Sequence, residues 1–214
     1  MPTRTPPDRP GRRERRRVET RERIFRAALK LFAERGFPAT TVETITEAAD
    51  VGKGTFFNYF PSKEHVLGAF GALQAGKVEA ALAGAKRREA SAGEVLRRLP
   101  RELAVEPGRS PGLVCSLMVA VHSNDAVRAL MLANQKRARK SLAALLRLAQ
   151  EQGDVRRDLQ PQFLARCLMT TYFGGLFLWA LGPTGALADR LEAAMQLYWE
   201  AAQTSPARRH RRQK

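Results

Sequence analysis

Residues 40–63 read TTVETITEAADVGKGTFFNYFPSK, and this stretch decides the fold. Thr40 followed three residues later by Glu43 predicts a capping box, in which each side chain hydrogen-bonds a backbone N–H at a helix start. A tight turn and a second short helix at 53–60 follow, and Pro61 ends that helix because it cannot continue the hydrogen-bond ladder. Helices this short are not stable alone and must pack on a third. The pattern therefore predicts a helix-turn-helix.

The segments on either side of this stretch are helical. At 20–35, apolar residues recur at the spacing of one helix face, and Gly36 provides a C-terminal stop, so this segment supplies the third helix. Beyond Pro61, periodicity and capping residues predict further helices, with no strand or internal repeat. The predicted fold class is all-α with about nine helices, and the later helices cover about 62–89, 91–106, 113–121, 125–153, 161–181 and 186–203.

Charge is concentrated at the two ends of the chain. The 214 residues hold 37 Lys+Arg and 21 Asp+Glu, and residues 1–23 alone hold nine Arg. We predict a disordered basic arm at 1–17 and a basic tail at 206–214, because like charges repel one another and stay solvated. Such tails are attracted to polyanions, although a purely solubilising role is the alternative.

Cysteine usage and hydropathy exclude several classes of protein. Cys115 and Cys167 are the two cysteines, which argues against a disulfide framework or a zinc site, and no metal is expected. The N-terminus has no apolar stretch typical of a secretory signal. The uncharged run 167–188 has fewer than the ~20 consecutive apolar residues that a membrane span requires, and it predicts a buried helix. We expect a cytoplasmic protein with no membrane partner.

The residues from Arg21 to Leu67 carry a family resemblance. They show Ala28-x-x-Leu31-Phe32-x-x-x-Gly36-Phe37, then Thr40-Thr41-Val42-x-x-Ile45, then Val51-x-Lys53-Gly54-Thr55-Phe56-Phe57-x-Tyr59-Phe60-x-x-Lys63. This combination resembles the TetR/AcrR family of bacterial transcriptional regulators.

The resemblance implies two domains and a mode of regulation. The expected domains are a helix-turn-helix DNA-binding domain at 18–65 and a ligand-binding and dimerisation domain at 66–205. A homodimer would place its two recognition helices in successive major grooves of a palindromic operator. A small-molecule effector bound by the C-terminal domain would then release the DNA, as expected for a repressor. No cofactor is expected beyond that effector.

Candidate DNA-contacting residues follow from the motif and from their chemistry. Lys53 opens the recognition helix and can donate to guanine or to phosphate, and the Asn58 amide can pair with adenine. Phe57 stands where the family often has Tyr, so one hydrogen bond to phosphate is missing. Asp50 stands where many members have Gly in the turn. The predicted DNA-binding residues are Thr41, Lys53, Gly54, Thr55, Phe57, Asn58, Tyr59 and Lys63.

The C-terminal domain gives weaker candidates, chosen from apolar and amphipathic residues on helices that line the pocket in relatives. For each of these residues, an ordinary core position is the alternative. The ligand-pocket candidates are Met118, His122, Met131, Phe163, Cys167, Tyr172, Phe173 and Phe177. The dimer-interface candidates, on the last two helices, are Gly174, Gly175, Leu191, Met195, Tyr198 and Trp199.

Three other functions are alternatives to this one. An all-helical enzyme is disfavoured because the histidines form no ligand pair at helical spacing, and the chain has no nucleophile motif or phosphate-binding glycine loop. A non-specific architectural protein would bind DNA through its basic ends, with steep salt dependence. A thiol-responsive regulator would use Cys115 or Cys167, but both lie in apolar runs, which predicts buried and inert thiols.

Overall fold

The computed structural model describes residues 11–203, and within them it shows nine α-helices and one short 3-10 helix. The all-α prediction is confirmed. The predicted arm up to residue 10 and the basic tail lie outside the described residues. The helices are α1 (Arg12–Arg35), α2 (Val42–Ala48), α3 (Lys53–Tyr59), α4 (Lys63–Lys86), α5 (Ala92–Ala104), the 3-10 helix (Pro107–Arg109), α6 (Pro111–Ser123), α7 (Asp125–Gln152), α8 (Pro161–Leu181) and α9 (Leu187–Ala202).

The first helix corrects the predicted extent of the disordered arm. α1 begins at Arg12, so residues 12–17 are helical and exposed rather than part of the arm. The physical reason is that Arg and Glu are good helix formers, and no Gly or Pro interrupts the run after Gly11. Charge alone was therefore a poor guide to disorder in this segment.

The capping box at the start of α2 lies one residue later than predicted. Thr41 is the N-cap residue, and its hydroxyl accepts a hydrogen bond from the Thr44 N–H at 3.3 Å. The Thr44 hydroxyl accepts one from the Thr41 N–H in return. Thr40 is buried, and its hydroxyl donates to the Gly36 carbonyl at 2.8 Å, so it closes the turn after α1. Two adjacent threonines made the register ambiguous in the sequence.

Two apolar clusters form the core. One packs α1, α2 and α3 together with the first turns of α4, including Val66, Leu67 and Phe70. The other packs α5, α7, α8 and α9 with the second half of α4. The predicted boundary at 65/66 therefore falls inside α4, whose first turns belong to the N-terminal cluster. α6 joins the clusters, because Leu113 packs in the first and Val114 in the second.

Local signals set the ends of the later helices. Ser91 and Glu94 form the predicted capping box, and Asn124 accepts from the Val127 N–H at the start of α7. Gly153 ends α7 in the left-handed conformation, at φ 84°.

α8 is long and apolar enough to cross a membrane by length and composition alone. Its inward side chains, Leu164, Leu168, Tyr172, Leu176 and Trp179, are buried in the second cluster, as expected for a core helix.

Candidate DNA-binding face and ligand cavity

The helix α3 presents one face to solvent and buries the other. Phe56 lies fully buried in the N-terminal cluster, whereas Lys53, Gly54, Phe57 and Asn58 are exposed. The turn before α3 depends on Asp50, which adopts a positive φ of 49° that Asp tolerates better than most residues. The exposed face carries a cation, an amide and an apolar ring, which are groups suited to base edges in a DNA groove.

Lys53 forms an ion pair that joins the starts of α2 and α3. Its Nζ lies 2.6 Å from the Glu43 carboxylate, and both side chains are more than half exposed. The hydrogen bond from Lys53 lowers the pKa of Glu43 to about 2, so this carboxylate is ionised at neutral pH. A fixed negative charge therefore stands on the predicted DNA-binding face, beside the lysine expected to contact DNA.

Three of the other predicted DNA contacts lie around this face. Thr41 is exposed, and its hydroxyl accepts the Thr44 N–H within the capping box and hydrogen-bonds the Glu43 carboxylate. Thr55 and Tyr59 are half-buried. These positions are compatible with the predicted roles, which stay predictions.

Lys63, which is predicted to contact a phosphate, donates to backbone oxygens of its own chain. Its Nζ donates to the carbonyl oxygens of Phe37 at 2.9 Å and Thr40 at 2.8 Å, with Pro38 at 3.4 Å. It also lies 4.5 Å from the centre of the Phe37 ring. Because the ammonium protons are engaged by backbone oxygens, Lys63 ties the start of α4 to the loop between α1 and α2.

A cavity of about 240 Å³ lies between α4, α5, α6, α7 and α8. Its walls are almost entirely apolar, which is typical of a small-molecule site. Among the polar groups that line it is Gln74, which is not one of the predicted pocket residues. Predicted pocket residues that do line the cavity are Met118, His122, Met131, Tyr172 and Phe173.

The cavity continues into an outer groove with a basic rim. The cavity and the groove share lining residues from α6, α7 and α8, including His122 and Gln135. Lys136, Arg139 and Arg166 line the groove, and no described residue that lines either space is acidic. These cations are not among the predicted site residues, although Lys136 and Arg139 lie one helical turn apart in α7, a spacing visible in the sequence.

Three pocket candidates lie elsewhere. Phe177 lines the outer groove only, and Phe163 is exposed on the outer side of α8. Cys167 is half-buried and lines neither space. All three are on α8, and an apolar helix gives no sequence signal for which face points inward. The prediction of buried thiols is also wrong for Cys115, which is exposed.

The predicted dimer residues of α9 pack within their own chain. Leu191, Met195 and Trp199 are buried in the second cluster, and the Tyr198 hydroxyl donates to the Leu164 carbonyl at 2.8 Å. Gly175 faces Leu191, and only Gly174 among these candidates is exposed with open space around its α-carbon. An outer apolar face is left instead on α8, formed by Gly174, Phe177, Leu178 and Leu181, which follow one another at the spacing of one helix face.

The fold and these two sites define a helix-turn-helix protein whose C-terminal helices enclose an apolar cavity. A family model described as "Bacterial regulatory proteins, tetR family" matches residues 24–70. The transcriptional regulator TcmR of Streptomyces glaucescens is 32% identical over 167 residues, covering 76% of this chain and 74% of that protein. The chain therefore belongs to the tetR family of bacterial regulatory proteins and is a helix-turn-helix transcriptional regulator.

Two further similarities support this assignment. The transcriptional repressor DhaR of a Mycobacterium species is 31% identical over 166 residues, covering 75% of this chain and 82% of that protein. The crystal structure of Thermus thermophilus FadR, a repressor in complex with lauroyl-CoA, superimposes with a TM-score of 0.61 at 35% identity. That similarity covers 87% of this chain and 97% of the FadR chain.

Proposed function

We propose that this regulator is a cytoplasmic repressor that binds a palindromic operator as a homodimer. The observation that carries the proposal is the solvent-facing side of α3, where Lys53, Gly54 and Asn58 are exposed together. Selection of bound fragments from random DNA at near-physiological salt tests it. We expect a shared palindrome with half-sites about one helical turn apart. Recovery of fragments with no shared sequence would instead favour architectural binding.

Gly54→Ala should weaken operator binding without destabilising the folded protein. Nothing lies within 4 Å of a Cβ added at Gly54, so alanine should stabilise the free protein by about 0.5–1 kcal/mol through helix propensity. The same methyl group would stand where backbone and DNA approach each other, and operator affinity should fall about tenfold. Thermal unfolding and fluorescence anisotropy measure the two effects.

Gly76→Ala is the matched control for this substitution. Gly76 lies in α4, and a Cβ there also meets nothing within 4 Å. We expect a similar gain in stability with unchanged operator affinity. Undiminished operator binding by Gly54→Ala would show that α3 does not approach DNA at this position.

Glu43→Gln should strengthen binding to random DNA several-fold. The substitution removes the carboxylate that pairs with Lys53, so the lysine becomes free to neutralise a phosphate. The slope of log affinity against log salt should then become steeper by about one. Glu47→Gln, which removes another exposed carboxylate of α2, is the control. Equal changes in both variants would indicate a general charge effect rather than release of Lys53.

We further propose that the effector is an anionic amphiphile of the acyl-CoA type. The apolar cavity would take the acyl chain, and Lys136, Arg139 and Arg166 in the adjoining groove would bind the phosphates of the head group. The lauroyl-CoA complex of the 35% identical Thermus thermophilus FadR supports this choice of ligand class.

Operator release by lauroyl-CoA tests the effector proposal. We expect release by lauroyl-CoA and none by coenzyme A alone, because the acyl chain provides the apolar contact. Arg139→Gln combined with Arg166→Gln should raise the concentration needed for release about tenfold, since exposed charge pairs contribute modestly. Arg147→Gln, also on exposed α7 surface, should leave it unchanged. A double variant that responds like the wild type would contradict binding in this groove.

A further inference from the structure

The first turns of α1 carry a dense set of exposed positive charges. Residues 12–17 hold five arginines and one glutamate, and all six side chains are exposed. Within residues 11–203, none of these six side chains forms a hydrogen bond or an ion pair with another residue. The glutamate, Glu14, lies in the first turn, where the helix dipole favours a negative charge. The five guanidinium groups are therefore available to bind an external anion.

Three arginines of α1 share one side of the helix. Arg13, Arg17 and Arg21 are spaced four residues apart, which places them on one helix face, and we call them the arginine stripe. The same face continues into Ile24 and Ala28, which are fully buried in the N-terminal cluster. The arginine stripe therefore prolongs the face of α1 that packs on the other DNA-binding helices, beyond the edge of their apolar cluster.

Arg21 fixes the position of the arginine stripe relative to α3. Its guanidinium carbon lies 5.1 Å from the centre of the Phe60 ring, and Phe60 is the C-cap residue of α3. The other two arginines of the stripe follow about 6 and 12 Å further along the axis of α1, at a rise of about 1.5 Å per residue. At the opposite end of α1, the backbone of Ala33 lies against Gly112 of α6. The arginine stripe therefore begins at the end of the recognition helix and extends away from α6 and the cavity.

We infer that Arg13 and Arg17 bind the phosphate backbone of DNA beside the end of α3, as a second DNA contact of each protomer. This role rests on the DNA-binding face proposed above for α3. A guanidinium binds phosphate through strong, often bidentate, charge-assisted hydrogen bonds. Because the phosphates are the same in every sequence, the arginine stripe contributes affinity and orientation, whereas the exposed side of α3 contributes sequence preference.

Arg13→Gln combined with Arg17→Gln tests this contact in the full-length protein. The probe is the duplex that the selection from random DNA enriches most, whether or not it is palindromic. The slope of log affinity against log salt should become shallower by about one for each arginine removed from each protomer. Affinity at near-physiological salt should fall about 10–100-fold. Glutamine is a good helix former and both positions are exposed, so the Tm should stay unchanged. A wild-type slope in this variant overturns the inference.

Arg12→Gln combined with Arg15→Gln is the matched control. It removes two arginines from the same turns, but from the other side of α1. Its slope should change by less than half as much. Equal changes in the two double variants would indicate a general attraction of the basic end to DNA and would overturn the role of the arginine stripe. Enrichment of a duplex that is not palindromic would refute the palindromic-operator proposal separately, because this comparison needs only phosphates.

Discussion

Replacement of Leu178 by glutamate is expected to give a folded monomer with operator affinity lowered by about 10²–10⁴-fold. Leu178 is 59% exposed on the outer apolar face, so the single chain tolerates a charge there. A two-fold dimer would bury this position twice, and two unpaired carboxylates in the interface would prevent association. The loss of affinity is large because two linked recognition helices act at high effective concentration, whereas single ones do not.

Val105→Glu is the control for this substitution. Val105 is 53% exposed and lies after α5, outside the outer apolar face. We expect it to sediment as a dimer and to bind the operator like the wild type. Sedimentation velocity and fluorescence anisotropy together give the answer. A Leu178→Glu protein that remains dimeric would place the dimer contact elsewhere.

Gly112→Ala is expected to lower the melting temperature by roughly 2–12 °C and to weaken the coupling between the DNA-binding helices and the cavity. A Cβ at Gly112 would lie closer than 3.0 Å to the Ala33 carbonyl oxygen of α1, and backbone on both sides cannot rotate away. Overpacking of this kind costs about 1–3 kcal/mol, and about 2–4 °C of Tm per kcal/mol is typical at this chain length. Since α6 joins the clusters, separation of α1 from α6 should also reduce the effect of the effector on operator binding.

Gly108→Ala supplies the comparison for stability. Its added Cβ would meet Leu187 at 3.5 Å, an ordinary contact, so its Tm should change little. The ratio of operator affinities with and without lauroyl-CoA measures the link between the domains. If Gly112→Ala changes neither the Tm nor this ratio, then α1 and α6 can move apart without loss of stability or of coupling between effector and operator binding.

The N-terminal domain was predictable because its signals are local. A capping pair, a turn and a proline within 24 residues determine α2 and α3, and the buried Phe56 follows from the same pattern. The errors were also local. The N-cap of α2 is Thr41 rather than the predicted Thr40. The helix α1 begins at Arg12 because helix propensity outweighs charge repulsion in residues 12–17.

The C-terminal domain was less predictable because its helices are apolar on more than one side. α9 buries Leu191 and Met195 in its own chain and exposes Leu197, and the spacing alone does not show which stripe faces inward. The same ambiguity misplaced Phe163. Gln74 left a readable signal, an amide within the apolar run 70–75, but its meaning depends on Leu103, which lies 29 residues away in the chain.

The hydrogen bonds from Lys63 to the loop after α1 have a consequence for protein engineering. A DNA-binding segment transferred from this regulator into a biosensor would need Lys63 and the first turns of α4, because Val66, Leu67 and Phe70 pack in the same apolar cluster as α1, α2 and α3. A fusion joint placed at residue 65 would divide that interior between donor and host. A fusion point that connects this DNA-binding segment to another ligand-binding domain should therefore lie beyond Phe70.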